Sequence, residues 1–187
     1  MTKQQPPKER ATGSTETFTY ILLLLAAKEA LKSAKEKEEG SFYTSLHSIV
    51  FTAFALESFL NHLGRRLFPT EPKFKWKRPD DKLKAVCAKL GFTPNMGISP
   101  YQSFGRAFAT RNLAAHSETV VQPFDRMVDA DDAMPRPERS PLELQCTLAI
   151  AERLFKDAKK IVEDLHERAG LPFKPLLIAT HTSWVQS

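Results

Sequence analysis

The segment Arg111-Asn112-Leu113-Ala114-Ala115-His116 sets a guanidinium and an imidazole near the end of one helical stretch, with an amide directly after the Arg. These are the groups that phosphodiester cleavage needs when no metal takes part. Imidazole titrates near neutral pH and can give or take a proton, and guanidinium holds phosphate oxygens and stabilises their developing charge. On an ideal helix Asn112 and His116 are neighbours one turn apart, whereas Arg111 and His116 diverge by roughly 140°. One copy of the helix therefore needs a long reach or groups supplied from elsewhere. Two copies paired about a symmetry axis would bring two Arg and two His to one cleft, so a homodimer through this helix is the expectation. Each residue alone also has an ordinary structural use: His beside a helix C-terminus, Arg along a flank, Asn as a cap.

Two further features belong with the motif. On the preceding long helix Glu57 falls within the apolar stripe running from Leu46 to Leu67, where an unpaired carboxylate costs several kcal/mol. Glu57 is therefore expected to orient Arg111 or Asn112. Residues 65–90 carry nine basic side chains against three carboxylates, an excess larger than the net +5 of the whole chain. Within that stretch Arg65, Arg66, Lys73, Lys75, Trp76, Lys77 and Arg78 combine cations with an aromatic ring, the pairing that single-stranded nucleic acid uses for phosphate contact and base stacking. The other reading of this segment is a solvated loop whose Phe74 and Trp76 tuck into the core.

The elements that must position these groups are helices. The length of 187 residues and 42% hydrophobic content suit one domain with a sizeable core. Apolar residues recur at steps of three and four, and the prolines fall between the periodic runs. A first helix is expected over 18–39, with Tyr20, Leu24, Ala27, Leu31 and Ala34 inward; a second over 42–68; and a short one over 79–90, with Leu83 and Val86 inward. Ser99-Pro100-Tyr101-Gln102 reads as a capping box opening the motif helix. Tyr101, Phe104, Phe108 and Ala115 form its stripe, with Asn112 inside the edge and Arg111 and His116 on the flanks. Ser140-Pro141-Leu142-Glu143 reads as a second capping box, opening a long helix through Leu144, Leu148, Ala151, Phe155, Ala158, Val162 and Leu165. The sum is an all-α, up-and-down bundle of four main helices plus a short one. Residues 1–16 read as a disordered arm, 17–170 as the helical domain and 171–187 as a tail packed on the bundle, with 119–140 a long loop placed to cover the motif.

Several classes are set aside. Cys87 and Cys146 lack the spacing of a disulfide framework or a zinc site and read as small apolar residues, which suits a reducing cytoplasm. The run from Ile21 to Ala27 is too short to span a bilayer, and its apolar period continues past it, against a signal peptide. No cofactor or metal is expected, since there is no Gly-rich phosphate loop and the histidines do not cluster.

The order of helices, the position of Arg111, Asn112 and His116 late in the penultimate long helix, and the segment Phe54-Ala55-Leu56-Glu57-Ser58-Phe59-Leu60-Asn61 together resemble the HEPN superfamily. Its hallmark is R-x-x-x-x-H with a polar residue after the Arg. The resemblance covers residues 18–168; the arm, the basic loop and the tail lie outside it. It implies a helical bundle that dimerises through the motif helices. It further implies a metal-independent endoribonuclease leaving 2′,3′-cyclic phosphate and 5′-hydroxyl ends, acting as toxin or phage-defence effector. Arg111 and His116 would be the catalytic pair, Asn112 would orient them, and an antitoxin would be a protein partner. The alternative is a non-catalytic HEPN-type module that binds RNA or protein.

Overall fold

Apolar periodicity places the long helices where the residue pattern predicts them. In the computed structural model, which describes residues 11–37, 39–123, 127, 138–172 and 180–186, helix α1 spans Thr19–Glu36 and buries Tyr20, Ile21, Leu24, Ala27, Leu31 and Ala34. Gly40, at φ 77°, makes the turn into α2, Ser41–Leu67, in a conformation that side chains with a Cβ rarely adopt. Tyr20 packs edge-on against Phe59 with ring centres 5.0 Å apart and also meets His62, so the start of α1 lies against the C-terminal half of α2 and the pair is antiparallel. The Phe59 face of α2 also buries Ser45, Ser48, Thr52 and Ala55, small residues that let the two helices approach closely.

A 3-10 turn, Phe74–Trp76, leads to α3, Pro79–Lys89, with Pro79 in its first turn and Asp80 and Asp81 complementing its N-terminal dipole. Helix α4, Tyr101–His116, carries the motif; α5 spans Pro141–Gln145 and α6 spans Leu148–Arg168. Helix α2 packs against α1, α3, α4 and α6 and is the centre of the fold. Phe59, Leu56, Leu60 and Leu63 of α2, Phe104 of α4 and Leu154, Ile161 and Leu165 of α6 are all within 1% of complete burial, which identifies the core. Cys87 and Cys146 are buried free thiols, as expected. Among the described residues no helix is long and apolar enough to cross a membrane.

The chain is mostly helical, but four features depart from the sequence expectation. First, Ala11–Thr17 is not a disordered arm: it forms strand β1, paired antiparallel with β2, Thr180–Gln186, in the register Thr12↔Val185, Thr15↔Thr182 and Thr17↔Thr180. The tail residues 180–186 are accordingly half of a ribbon; residues 1–10 and 173–179 lie outside the described residues. Threonine favours extended backbone, yet a polar segment without apolar alternation shows no strand signal until its distant partner is known.

Second, Pro100, not Ser99, is the N-cap of α4, and no side chain caps it; the Ser99 hydroxyl is drawn to α6 instead. Third, the capping box at Ser140 and Glu143 is present, but it opens only α5. The chain breaks at Cys146, and Thr147 caps α6 by accepting from the Ile150 backbone N–H. At this break Cys146 is buried and Leu144 is exposed, against the single long helix expected. Fourth, the bundle has two short helices, α3 and α5, where one was expected. The expected cover over the motif by residues 119–140 falls largely outside the described residues.

Candidate functional site

Helix α4 is clamped onto α6 at its N-terminal end, and that clamp fixes where its C-terminal end emerges. Asp157 of α6, 3% exposed, accepts from Ser99 Oγ at 2.9 Å and Ser103 Oγ at 2.6 Å, so each oxygen of a buried carboxylate has a donor. Tyr101 donates its hydroxyl to Asp164 at 2.7 Å, and Arg168 holds the other oxygen of Asp164 at 2.7 Å while lying over the Phe92 ring. Burial, then the acceptor Asp164, raises the Tyr101 phenol well above its ordinary value, so it remains a donor. Arg153 adds a 2.5 Å hydrogen bond to Gln102. The middle of α4 buries Phe104, Ala107, Phe108 and Thr110, and beyond Arg111 the helix rises out of the core.

Arg111 stands at that exit. Counting from Phe104, it lies on the inward face of α4 between Phe104 and Ala107, not on a flank as expected. Its Nη2 is 3.5 Å from Glu57 Oε2, and its guanidinium carbon sits 5.3 Å from the Phe108 ring centre and 6.0 Å from that of Phe54. Two aromatic faces and one carboxylate thus hold a side chain that remains 22% exposed. Its Nε is buried and has no hydrogen-bond partner.

The expected link from Glu57 to the motif is therefore present and runs to Arg111. Glu57 lies at the edge of the α2 core stripe with its side chain 29% exposed, not within the stripe. The sequence reading missed its second partner. Lys82 of α3, 0% exposed, places Nζ 2.9 Å from Glu57 Oε1, so one carboxylate bridges two cations from two other helices. Lys82 is one of the nine basic residues of 65–90. The available signal was its place beside Leu83 and four residues before Val86, in the helix turn that faces α2.

The remaining motif residues are not gathered with Arg111. Asn112 and His116 are exposed and make no hydrogen bond or ion pair with a described residue. This corrects the placement of Asn112 inside the buried edge, and Ala115 is exposed as well. The physical reason is that the clamp to α6 and the contact with Glu57 set the rotation of α4, so that among the described residues Arg111 faces inward and Asn112, Ala115 and His116 stay exposed. His116 sits in the last turn of α4.

In the basic segment the two aromatic residues part company. Phe74 is 3% exposed and stacks on Phe68 with ring centres 5.0 Å apart, whereas Trp76 is 78% exposed with Lys75 Nζ 4.9 Å from its ring centre. Lys73, Lys75, Lys77, Arg78, Arg65 and Arg66 are all exposed; Lys77 pairs with Glu71 at 3.1 Å and Arg66 with Glu16 at 3.5 Å. These residues form a solvent-facing surface, and among 65–90 only Lys82 reaches the Glu57–Arg111 pair. No group of His, Cys, Asp and Glu among the described residues is arranged to hold a metal ion.

Comparison with protein-family models, curated proteins and solved structures yields no match, so the site stands on its residues and geometry.

Proposed function

We propose that this chain is a metal-independent endoribonuclease of the HEPN type, working as a homodimer in the cytoplasm in a toxin or phage-defence role. The observation that carries the reading is Arg111. Its guanidinium is oriented by Glu57, Phe54 and Phe108 and its side chain remains 22% exposed, so it can offer N–H donors to a phosphate oxygen.

Exposed His116 supplies the proton-transfer group. As general base it takes the ribose 2′-hydroxyl proton; the 2′-oxygen then bonds to phosphorus, the bond from phosphorus to the 5′-oxygen breaks, and that oxygen receives a proton from the protonated His116 of the second copy. Arg111 stabilises the charge on the non-bridging oxygens. Products carry 2′,3′-cyclic phosphate and 5′-hydroxyl ends, and DNA resists because it lacks the nucleophile.

Within one subunit Arg111 and His116 point roughly 140° apart, which a second copy of α4 would remedy. A partly exposed stripe on α2, comprising Tyr43 at 64% exposure, His47, half-buried Val50 and Phe54 at 39%, ends beside Arg111 and suits such an interface. Trp76 with Lys73, Lys75, Lys77, Arg78, Arg65 and Arg66 is the proposed RNA-contact surface.

One observation favours a second reading, a non-catalytic HEPN-type module: Arg111 already has a carboxylate partner, and Asn112 and His116 make no hydrogen bond to it. Incubation of wild type and His116→Ala with mixed-sequence labelled RNA in EDTA separates the two. Cleavage by wild type alone, with cyclic-phosphate ends, is the expected result. Salt-sensitive RNA binding without cleavage by either protein favours the module, and cleavage of a 2′-deoxy substrate overturns the mechanism.

A further inference from the structure

A second concentration of cations lies outside the 65–90 segment. Helices α1 and α6 leave between them a groove of about 700 Å³ lined by Lys28, Lys32, Lys35, Arg153 and Lys156, with Glu152 the one carboxylate and Leu31, Ala149 and Phe155 along the floor. We propose that this groove is a binding track for single-stranded RNA, holding the phosphodiester backbone on its lysine rims and bases on its apolar floor.

The helical spacing makes the rims. Lys28, Lys32 and Lys35 are four and three residues apart, so they fall on one stripe of α1 with a charge at each turn, at rises of roughly 6 and 4.5 Å. Arg153 and Lys156 face them from α6 at a spacing of three. All five cations are exposed at their residues, while Leu31 is 7% exposed and Phe155 is half-buried, so charge sits above apolar surface.

Local compensation is incomplete. Lys35 pairs with Glu152 at 2.6 Å, Lys32 reaches Glu36 at 3.8 Å, and Arg153 reaches Gln102 and the edge of Asp157. Lys28 and Lys156 form no ion pair with a described residue. A polyanion is the complementary ligand. An unpaired strand fits better than a duplex, because only exposed bases can cover Leu31, Ala149 and Phe155.

The groove also has a fixed relation to the motif helix. Arg153 touches Gln102 in the first turn of α4, and His116 ends that helix. Fourteen residues of rise separate them, roughly 21 Å, or about six nucleotides at stacked spacing. A strand seated in the groove could therefore follow α4 toward the proposed catalytic end. The inference rests on the RNA half of the proposed function and not on cleavage.

The test is fluorescence anisotropy of a labelled 2′-O-methyl oligouridine 20-mer, which cannot be cleaved through its 2′-oxygen. It is titrated with the full chain, with Lys28→Glu/Lys156→Glu and with Lys89→Glu as an exposed control outside the groove. The groove variant should bind at least about tenfold more weakly and lower the slope of log affinity against log salt by about 1.4, two contacts at roughly 0.7 each. Unfolding midpoints equal to wild type confirm intact folds, since neither lysine is paired. Unchanged affinity and slope overturn the proposal, as does absence of RNA binding altogether. Selective loss of binding to phosphatidylserine vesicles, with RNA binding intact, would assign the groove to a membrane surface and overturn it equally. Failure of natural RNA to be cleaved, with this binding result positive, sinks the ribonuclease reading alone.

Discussion

Glu57 and Lys82 invite a double-mutant cycle whose asymmetry follows from their different exposures. In Glu57→Gln the Lys82 ammonium, with its side chain 1% exposed, faces a neutral amide and has no water to replace the lost carboxylate. Removing one partner from a buried pair costs about 3–5 kcal/mol. In Lys82→Met the chain loses a desolvated charge and keeps its volume, while Glu57 retains Arg111 and a side chain 29% open to water. That change should cost about 1 kcal/mol or less. The double variant Glu57→Gln/Lys82→Met removes both charges, so it should lie within about 1 kcal/mol of Lys82→Met, giving a coupling of about 2–4 kcal/mol. Urea unfolding at neutral pH, with the linear slope checked for constancy, reads all four corners. For a chain of this size the Glu57→Gln loss corresponds to a fall in Tm of about 10 °C. Additive single effects, or a Glu57→Gln variant within about 1 kcal/mol of wild type, would refute the view that Lys82 is a buried charge dependent on Glu57.

Three further outcomes test other parts of the fold. Burial, reinforced by the Arg66 charge, pushes the His62 imidazole down to about 4, and burial lowers His166 too. The unfolded chain takes up those protons near the ordinary value of 6.5, so stability present above that pH is lost as pH falls toward 4. Solvent access to the half-buried His62 ring reduces the effect to roughly 1–2 kcal/mol, and His62→Phe should flatten the pH profile of urea midpoints between 7 and 4.5 by about that amount. Gly64→Ala should destabilise by about 1–3 kcal/mol despite better helix propensity, because a Cβ there overlaps the Phe74 ring; an unchanged midpoint would mean that ring is free to move. Asp157→Ala leaves Ser99 and Ser103 without their acceptor and should cost about 1–3 kcal/mol, with faster hydrogen exchange in the first turns of α4 as the specific sign.

Much of the helical layout is legible because burial imposes a period. The inward residues of α1, the central residues of α2 and Leu83 and Val86 of α3 follow from three-and-four spacing alone, which has a single geometric solution. The Ser140 capping box is likewise local chemistry and is present. The two buried thiols follow from the missing partner spacing. At the candidate site the connection between Glu57 and the motif is legible for the same reason: a carboxylate at the edge of an apolar stripe needs a cation, and Arg111 borders a facing stripe.

What the residues alone determined, then, is the set of groups available and the faces they share; what required the tertiary structure is every choice among partners distant in the chain. Ser99 could cap its own helix or bond Asp157, fifty-eight positions away, and the buried carboxylate with the greater need for donors takes it. Lys82 could be a surface charge or a buried one, and the half-open carboxylate of Glu57 decides. Ala11–Thr17 pairs with Thr180–Gln186 because backbone hydrogen bonds between strands carry no signature in either strand by itself. The rotation of α4, which turns Arg111 inward and leaves Asn112 and His116 exposed, is set by contacts to α6 at one end and α2 at the other. Helical spacing gives the angle between Arg111 and His116; only packing fixes which of them faces the protein.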